Sequence, residues 1–153
     1  YHMKVTNIGN LLKKIYRIYS NDLLSSLQDR GFIDLRVSFL EILMYICEND
    51  APSIKEVGRA CGLKKQTMTS HLNELEKRGY VERKTNERDR RELKVHLTIY
   101  GEKFKVALLE VVTELENQYL NTLGNVELDR ITHTLENFHT KVQKESDGQT
   151  ILI

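Results

Sequence analysis

The chain has no tryptophan, one proline and two cysteines in 153 residues, and aromatic residues make up 7% of it. With one proline and no low-complexity tract, most of the chain is expected to be ordered. Two cysteines cannot make a disulfide framework, so a reducing cytoplasm is the default compartment. No apolar run approaches the roughly 18 residues that a membrane helix needs, and no basic-apolar-small leader opens the sequence. There is no Gly-rich phosphate loop, no nucleophile elbow and no paired catalytic histidine, which leaves an enzyme without its usual marks. No Cys/His cluster has zinc-finger spacing, and His133 and His139 are too far out of helical phase to share a face, so neither a metal nor another cofactor is expected. What is present is ordinary globular composition, 40% apolar and 29% charged, in a length that suits one domain over 1–153. Tyr1 and His2 precede Met3, read as an appended remnant, and are set aside.

The net charge of +1 conceals an asymmetry. Residues 1–52 are neutral, with 6 basic and 6 acidic groups. Residues 53–105 carry 14 basic and 8 acidic groups, net +6, and residues 106–153 carry 3 and 8, net −5. A basic middle between a neutral and an acidic segment points to a polyanion partner, although a solvated helix face would give the same count.

Helical spacing runs through Ile8, Leu11, Leu12, Ile15, Ile18, Tyr19, Leu23, Leu24 and Leu27, with Thr6 as the expected cap and Gly31 just beyond the end. Asp34 is placed to cap a second helix, Val37–Cys47, that is apolar nearly all round and should be central. Asn49-Asp50-Ala51-Pro52 stops it. Ser53 with Glu56 three residues on is a capping box for a short third helix that Gly62 ends. A fourth helix follows, with Met68, Leu72 and Leu75 as its buried stripe and Gly79 at its end. The pattern then turns to period 2: Tyr80–Lys84 and Leu93–Thr98 read as strands around the charged segment Thr85–Glu92. A helix-turn-helix followed by such a hairpin is a winged helix. Thr98 is placed to cap a long fifth helix, Gly124-Asn125 breaks it, and Leu128, Ile131, Leu135, Phe138 and Val142 mark a last amphipathic helix before a polar tail, Ser146–Thr150, expected to fray.

The outer face of the fourth helix offers Lys64, Lys65, Gln66, Thr67, Thr69, Ser70, His71, Asn73 and Glu74. Most of these are uncharged hydrogen-bonding groups rather than alternating salt-bridge partners, which suits readout of base edges in a major groove, with the lysines meeting phosphates. The hairpin tip carries Arg88, Asp89, Arg90 and Arg91. Arginine on a thin tip can enter a narrow minor groove, braced by an acidic neighbour. By itself such a run is an ordinary solvated loop; one strand after a helix-turn-helix it is a DNA probe.

These residues resemble the multiple-antibiotic-resistance regulator (MarR) family of bacterial transcription factors. The resemblance covers nearly the whole chain and is most specific from Gly62 to Gly101. Gly62-Leu63, Thr67-Met68-Thr69, Leu72, Leu75–Val81 and Arg83 are similar to the family's recognition helix and first wing strand. Asp89-Arg90-Arg91, Leu97-Thr98 and Gly101 are similar to its wing signature, and Leu35, Phe39 and Leu43 fit its second helix. The resemblance implies a mainly α fold with a small β wing: a winged helix-turn-helix lobe over 35–100, and a helical dimerisation region over 4–34 and 101–145. It implies a homodimeric repressor on a pseudo-palindromic operator in double-stranded DNA, with Arg91 in the minor groove and Asp89 orienting it. It also implies relief by a small aromatic effector, phenolic or another aromatic anion. Lys64 departs from the family's usual helix cap, and DNA phosphate would relieve a cation there. A DNA-binding activator or architectural factor, and a winged-helix module that binds protein instead of DNA, are the alternatives.

Tyr16, Tyr19, Phe39, Tyr45 and Tyr100 fall where the first, second and fifth helices should meet the lobe and are the candidate lining of an effector pocket, or simply core and interface residues. Cys47 and Cys61 read as buried structural cysteines rather than oxidant sensors, since neither has a cation in its own apolar stripe.

Overall fold

The winged lobe is built outward from its most apolar helix. A computed structural model of the protein describes residues 3–150, and the side chains of residues 3–143. Tyr1 and His2 lie outside the described residues. The order of elements is α1 (Lys4–Asp29), α2 (Val37–Glu48), α3 (Ile54–Cys61), α4 (Lys65–Lys77), β1 (Val81–Thr85), β2 (Leu93–Leu97), α5 (Ile99–Leu123) and α6 (Asn125–Thr150). Two compact units result, Tyr1–Val112 and Thr113–Ile153, and α5 runs through both.

In the first unit, Phe39, Leu40, Ile42, Leu43 and Ile46 of α2 are buried. Around them close Leu23 and Leu27 of α1, Val57 of α3, Met68, Leu72 and Leu75 of α4, Val81 and Val95 of the hairpin, and Phe104, Leu108 and Val111 of α5. The i, i+4, i+7 stripe of α4 is therefore the lobe's floor, and its opposite face is left to solvent.

Two of the expected caps form. The backbone N–H of Glu56 donates to Ser53 Oγ at 3.1 Å, and that of Gly101 to Thr98 Oγ1 at 3.0 Å. Gly62 ends α3 in the left-handed region at φ 64°, where a side chain would be strained. Two others do not form. α1 starts at Lys4 with Met3 at its cap position, so Thr6 lies inside the helix. Arg36, not Asp34, precedes α2 and makes no side-chain cap. Asp34 is drawn elsewhere: its Oδ1 accepts from Tyr80 Oη at 2.7 Å, and its carbonyl accepts from Arg78 Nη1. Burial and this bond to a carboxylate both push the Tyr80 hydroxyl up, so it stays a donor. The backbone of α6 continues to Thr150, past the point where the polar tail was expected to fray.

β1 and β2 pair antiparallel, Val81 opposite Leu97 and Thr85 opposite Leu93. The hairpin has a further partner that the period-2 pattern does not show. Val95 N donates to the Pro52 carbonyl at 2.9 Å, and Ser53 bridges Lys94. Proline has no N–H to give but keeps its acceptor, so the stop signal of α2 doubles as a strand stub that ties the start of α3 to the wing.

Candidate nucleic-acid interface

The N-cap Lys64 of α4 makes no side-chain cap, which leaves the N–H groups of the first turn and the Lys64 and Lys65 ammonium groups facing solvent together. Lys65, Gln66, Thr69, Ser70, Asn73 and Glu74 line one shallow concavity along the exposed face. Thr67 is exposed beside it. Three of the predicted positions are more constrained than their exposure suggests. Thr69 Oγ1 donates to the Lys65 carbonyl at 2.9 Å, so its hydroxyl proton is spent within the helix, leaving a lone pair and a methyl group to offer. His71 is half-buried, edge-on to Phe39 with ring centroids 5.4 Å apart, and belongs as much to the lobe's packing as to its surface. Asn73 Oδ1 accepts from Arg83 Nη2 at 2.8 Å.

That last contact is part of a clamp between the helix and the wing. Arg83 on β1 donates to Glu76 through Nε at 3.1 Å, Nη2 at 2.6 Å and its backbone N–H at 3.2 Å. The hydrogen bonds from Arg83 hold the Glu76 carboxyl below its ordinary value of 4.5. A carboxyl depressed in the folded state stabilises the fold above its ordinary pKa and stops doing so as pH falls through the folded value. We therefore expect the wing's alignment with α4 to be insensitive to pH from neutrality down to the ordinary carboxylate range and to loosen only below it. Glu76→Gln should remove that acid-side dependence, read as amide-exchange protection of β1 against pH. Arg83 belongs to the stretch that resembles the family's first wing strand, but its tie to Glu76 crosses a helix end where no periodicity applies, so the sequence pattern does not show it.

The wing tip is organised by its own side chains. Asn86 Oδ1 accepts from Arg88 N and Asp89 Oδ1 from Arg91 N, each at 3.1 Å. These are the local turns that Asx residues favour. Asn86 N and Glu92 O close the loop at 2.9 Å. Asp89 also lies 3.7 Å from Arg91 Nε, while the Arg91 side chain is 96% exposed. The carboxylate thus steers an otherwise free guanidinium outward. Arg88 and Arg90 are exposed on the same tip.

The five candidate pocket residues do not come together. Tyr16, Tyr19 and Tyr45 line a cleft of about 300 Å³ between α1 and α2, with Leu23, Leu40 and Met44 among its apolar walls. Phe39 is instead buried under α4, its ring covered by the guanidinium groups of Arg36 and Arg78 at 5.7 and 5.3 Å. Tyr100 packs on Phe32 and Tyr80, with centroids 5.6 and 5.0 Å away, in a separate aromatic cluster that Phe104 completes. Helical phase explains the first departure, because Phe39 lies on the core face of α2; Tyr100 stays 38% exposed at the rim of its aromatic cluster, away from the cleft. Burial pushes the thiols of Cys47 and Cys61 up to about 11, which is unfavourable to thiolate chemistry at neutral pH. Among the described residues, no group of three or more His, Cys, Asp or Glu is placed to hold a metal ion, and no helix is long and apolar enough to cross a membrane.

A helix-turn-helix whose second helix turns a polar face outward, tied to a basic two-stranded wing, defines a winged-helix transcriptional regulator. The profile described as MarR family matches residues 40–92. The HTH-type transcriptional regulator SarZ of Staphylococcus aureus is 32% identical over 114 residues, covering 74% of this chain and 76% of the relative. The chain belongs to the MarR family. Among solved structures, a MarR mutant from E. coli complexed with operator DNA superposes with a TM-score of 0.76 at 20% identity, over 88% of this chain and 95% of that one. The PcaV regulator of Streptomyces coelicolor, in complex with its natural ligand, gives 0.72 at 15% identity, over 92% and 96%. At these identities the superpositions show the shared fold.

Proposed function

We propose that the protein is a cytoplasmic, non-enzymatic repressor that binds a pseudo-palindromic operator as a homodimer and is released by a small molecule in the α1–α2 cleft. The observation that carries this reading is the pairing of an exposed, largely uncharged polar face on α4 with a wing whose Arg91 is 96% exposed and steered by Asp89. In this reading α4 enters a major groove, with Gln66, Thr67, Ser70 and Asn73 at base edges and Lys64 and Lys65 at phosphates, and Arg91 takes the adjacent minor groove.

The dimer is supported by surface that a monomer leaves wet. Val5, Ile8, Leu11, Leu12, Ile15 and Ile18 form an exposed stripe on α1, and Ile131, Leu135, Phe138 and Val142 form another on α6. Pairing two chains through 4–34 and 101–145 would set two recognition helices about 34–36 Å apart, one DNA turn. A ligand that alters that spacing prevents simultaneous contact with both half-sites. Operator DNA and a natural ligand in the structures of the two solved relatives support the same assignment.

The test is titration of the full chain against genomic fragments and random duplex at several salt concentrations, with sedimentation alongside. A dimer that selects particular fragments over random duplex is expected. A monomer, or binding that is uniformly weak and vanishes with salt, would leave only a basic surface meeting phosphate and overturn the proposal.

A further inference from the structure

The α1–α2 cleft is assembled from two matching helical stripes. α1 contributes Tyr16, Tyr19, Ser20 and Leu23, and α2 contributes Glu41, Met44, Tyr45 and Glu48. Each set runs i, i+3, i+4, i+7, so each lies along one face of its helix over two turns. The aromatic groups are close: the Tyr16 and Tyr19 rings lie 6.1 Å apart at 47°, and Tyr19 Oη reaches Met44 Sδ at 3.8 Å. The walls are therefore π faces and a polarisable thioether.

The charge of the lining has one sign. Glu41 and Glu48 stand at the two ends of the α2 stripe, and among the described residues no lysine, arginine or histidine lines the cleft. Among the described residues neither carboxylate forms an ion pair. Ser20 Oγ donates to the Tyr16 carbonyl at 2.8 Å, so the one buried hydroxyl is already committed and offers no anchor to an anion. An aromatic carboxylate or phenolate entering here would meet two like charges without a cation to offset them.

From this we propose that the α1–α2 cleft binds a small hydrophobic cation, an aromatic amine or quaternary ammonium, with its apolar body against Tyr16, Tyr19, Met44 and Tyr45 and its charge toward Glu41 and Glu48. Aromatic faces attract such ions, and the carboxylates supply the counter-charge that the cleft otherwise lacks. The inference deepens the effector reading above and rests on it only for the consequence at the operator. It also replaces the anion that family resemblance implies with a ligand of opposite sign.

The experiment uses the full-length protein and benzyltrimethylammonium, with 2-hydroxybenzoate and benzyl alcohol at matched ionic strength as the anionic and neutral aromatic probes. Calorimetric titration without DNA is expected to rank the cation first. Glu41→Gln and Glu48→Gln are exposed changes that leave the core intact, and should weaken the cation roughly threefold each and about tenfold together. The neutral probe should be unaffected by either. Tighter binding of 2-hydroxybenzoate than of the cation, or cation binding indifferent to the double substitution, overturns the proposal. Operator binding is then measured with the cation saturating. Release confirms the cation as effector, whereas an unchanged operator complex beside intact cation binding overturns the effector reading and not the binding site.

Discussion

Arg91→Ala is expected to weaken operator binding by about tenfold, a loss on the order of 1–2 kcal/mol, while leaving the thermal midpoint unchanged. The side chain is 96% exposed and, among the described residues, its one ion pair is with Asp89, 3.7 Å from Nε, so folding has almost nothing to lose. Binding has more, because an arginine delivered to a narrow minor groove meets the most negative potential on the duplex. Asp89→Ala should cost less than Arg91→Ala. It removes both the acceptor for the Arg91 N–H at 3.1 Å and the charge that turns the guanidinium outward, but leaves the guanidinium itself. Electrophoretic mobility shifts on one enriched fragment at fixed salt would separate the two. Equal affinity of Arg91→Ala and the parent protein at matched salt would remove the wing from the interface.

Gly101→Ala is expected to have the largest effect on stability, about 3 kcal/mol or more. A Cβ at this position would lie 2.1 Å from the Tyr80 carbonyl oxygen and 3.1 Å from the Leu97 side chain. Neither neighbour can yield cheaply. The Tyr80 carbonyl accepts from Thr98 N at 3.2 Å, and Tyr80 itself is fully buried with its hydroxyl bonded to Asp34. Alanine's better helix propensity, worth up to about 1 kcal/mol, is too small to compensate. Gly9 supplies the contrast. It lies within α1 with nothing within 4 Å of an added Cβ, and Gly9→Ala should raise the denaturation midpoint slightly. A Gly101→Ala midpoint within about 2 °C of the parent protein would refute the close approach of α5 to the wing's root, since 1 kcal/mol corresponds to roughly 2–4 °C at this size.

The Gly101 contact also shows how family likeness and geometry divide the work. The residue belongs to the stretch that resembles the family's wing signature, yet composition and spacing give no reason for glycine there, one turn into a helix. The reason is a carbonyl across the fold. The same division runs through the surface of α4. The buried stripe Met68, Leu72 and Leu75 follows from period alone, so the identity of the opposite, exposed face follows too. Ser53 and Thr98 cap as expected, because each needs only a partner three residues ahead. Thr6 and Asp34 have equally good credentials and do not cap. Asp34 is instead taken by Tyr80, 46 residues away.

From the sequence alone came the order of helices and strands, the buried stripes of α2 and α4, the basic middle segment, the polar outer face of α4 and the arginine-bearing tip. All of these depend on neighbours within about one or two turns or on the alternation of a strand, so they can be read along the chain. Tertiary structure alone decided which aromatic rings share a cleft, sending Phe39 to the core and Tyr100 to a separate, partly exposed aromatic cluster, and leaving Tyr16, Tyr19 and Tyr45 together. It also decided that Arg83 ties Glu76 and Asn73 to the wing, that Pro52 pairs with Val95, and that the cleft's charge is wholly acidic. Those outcomes depend on which faces of distant elements meet, and the free energy that selects them is burial and hydrogen-bond satisfaction across the fold rather than any local preference.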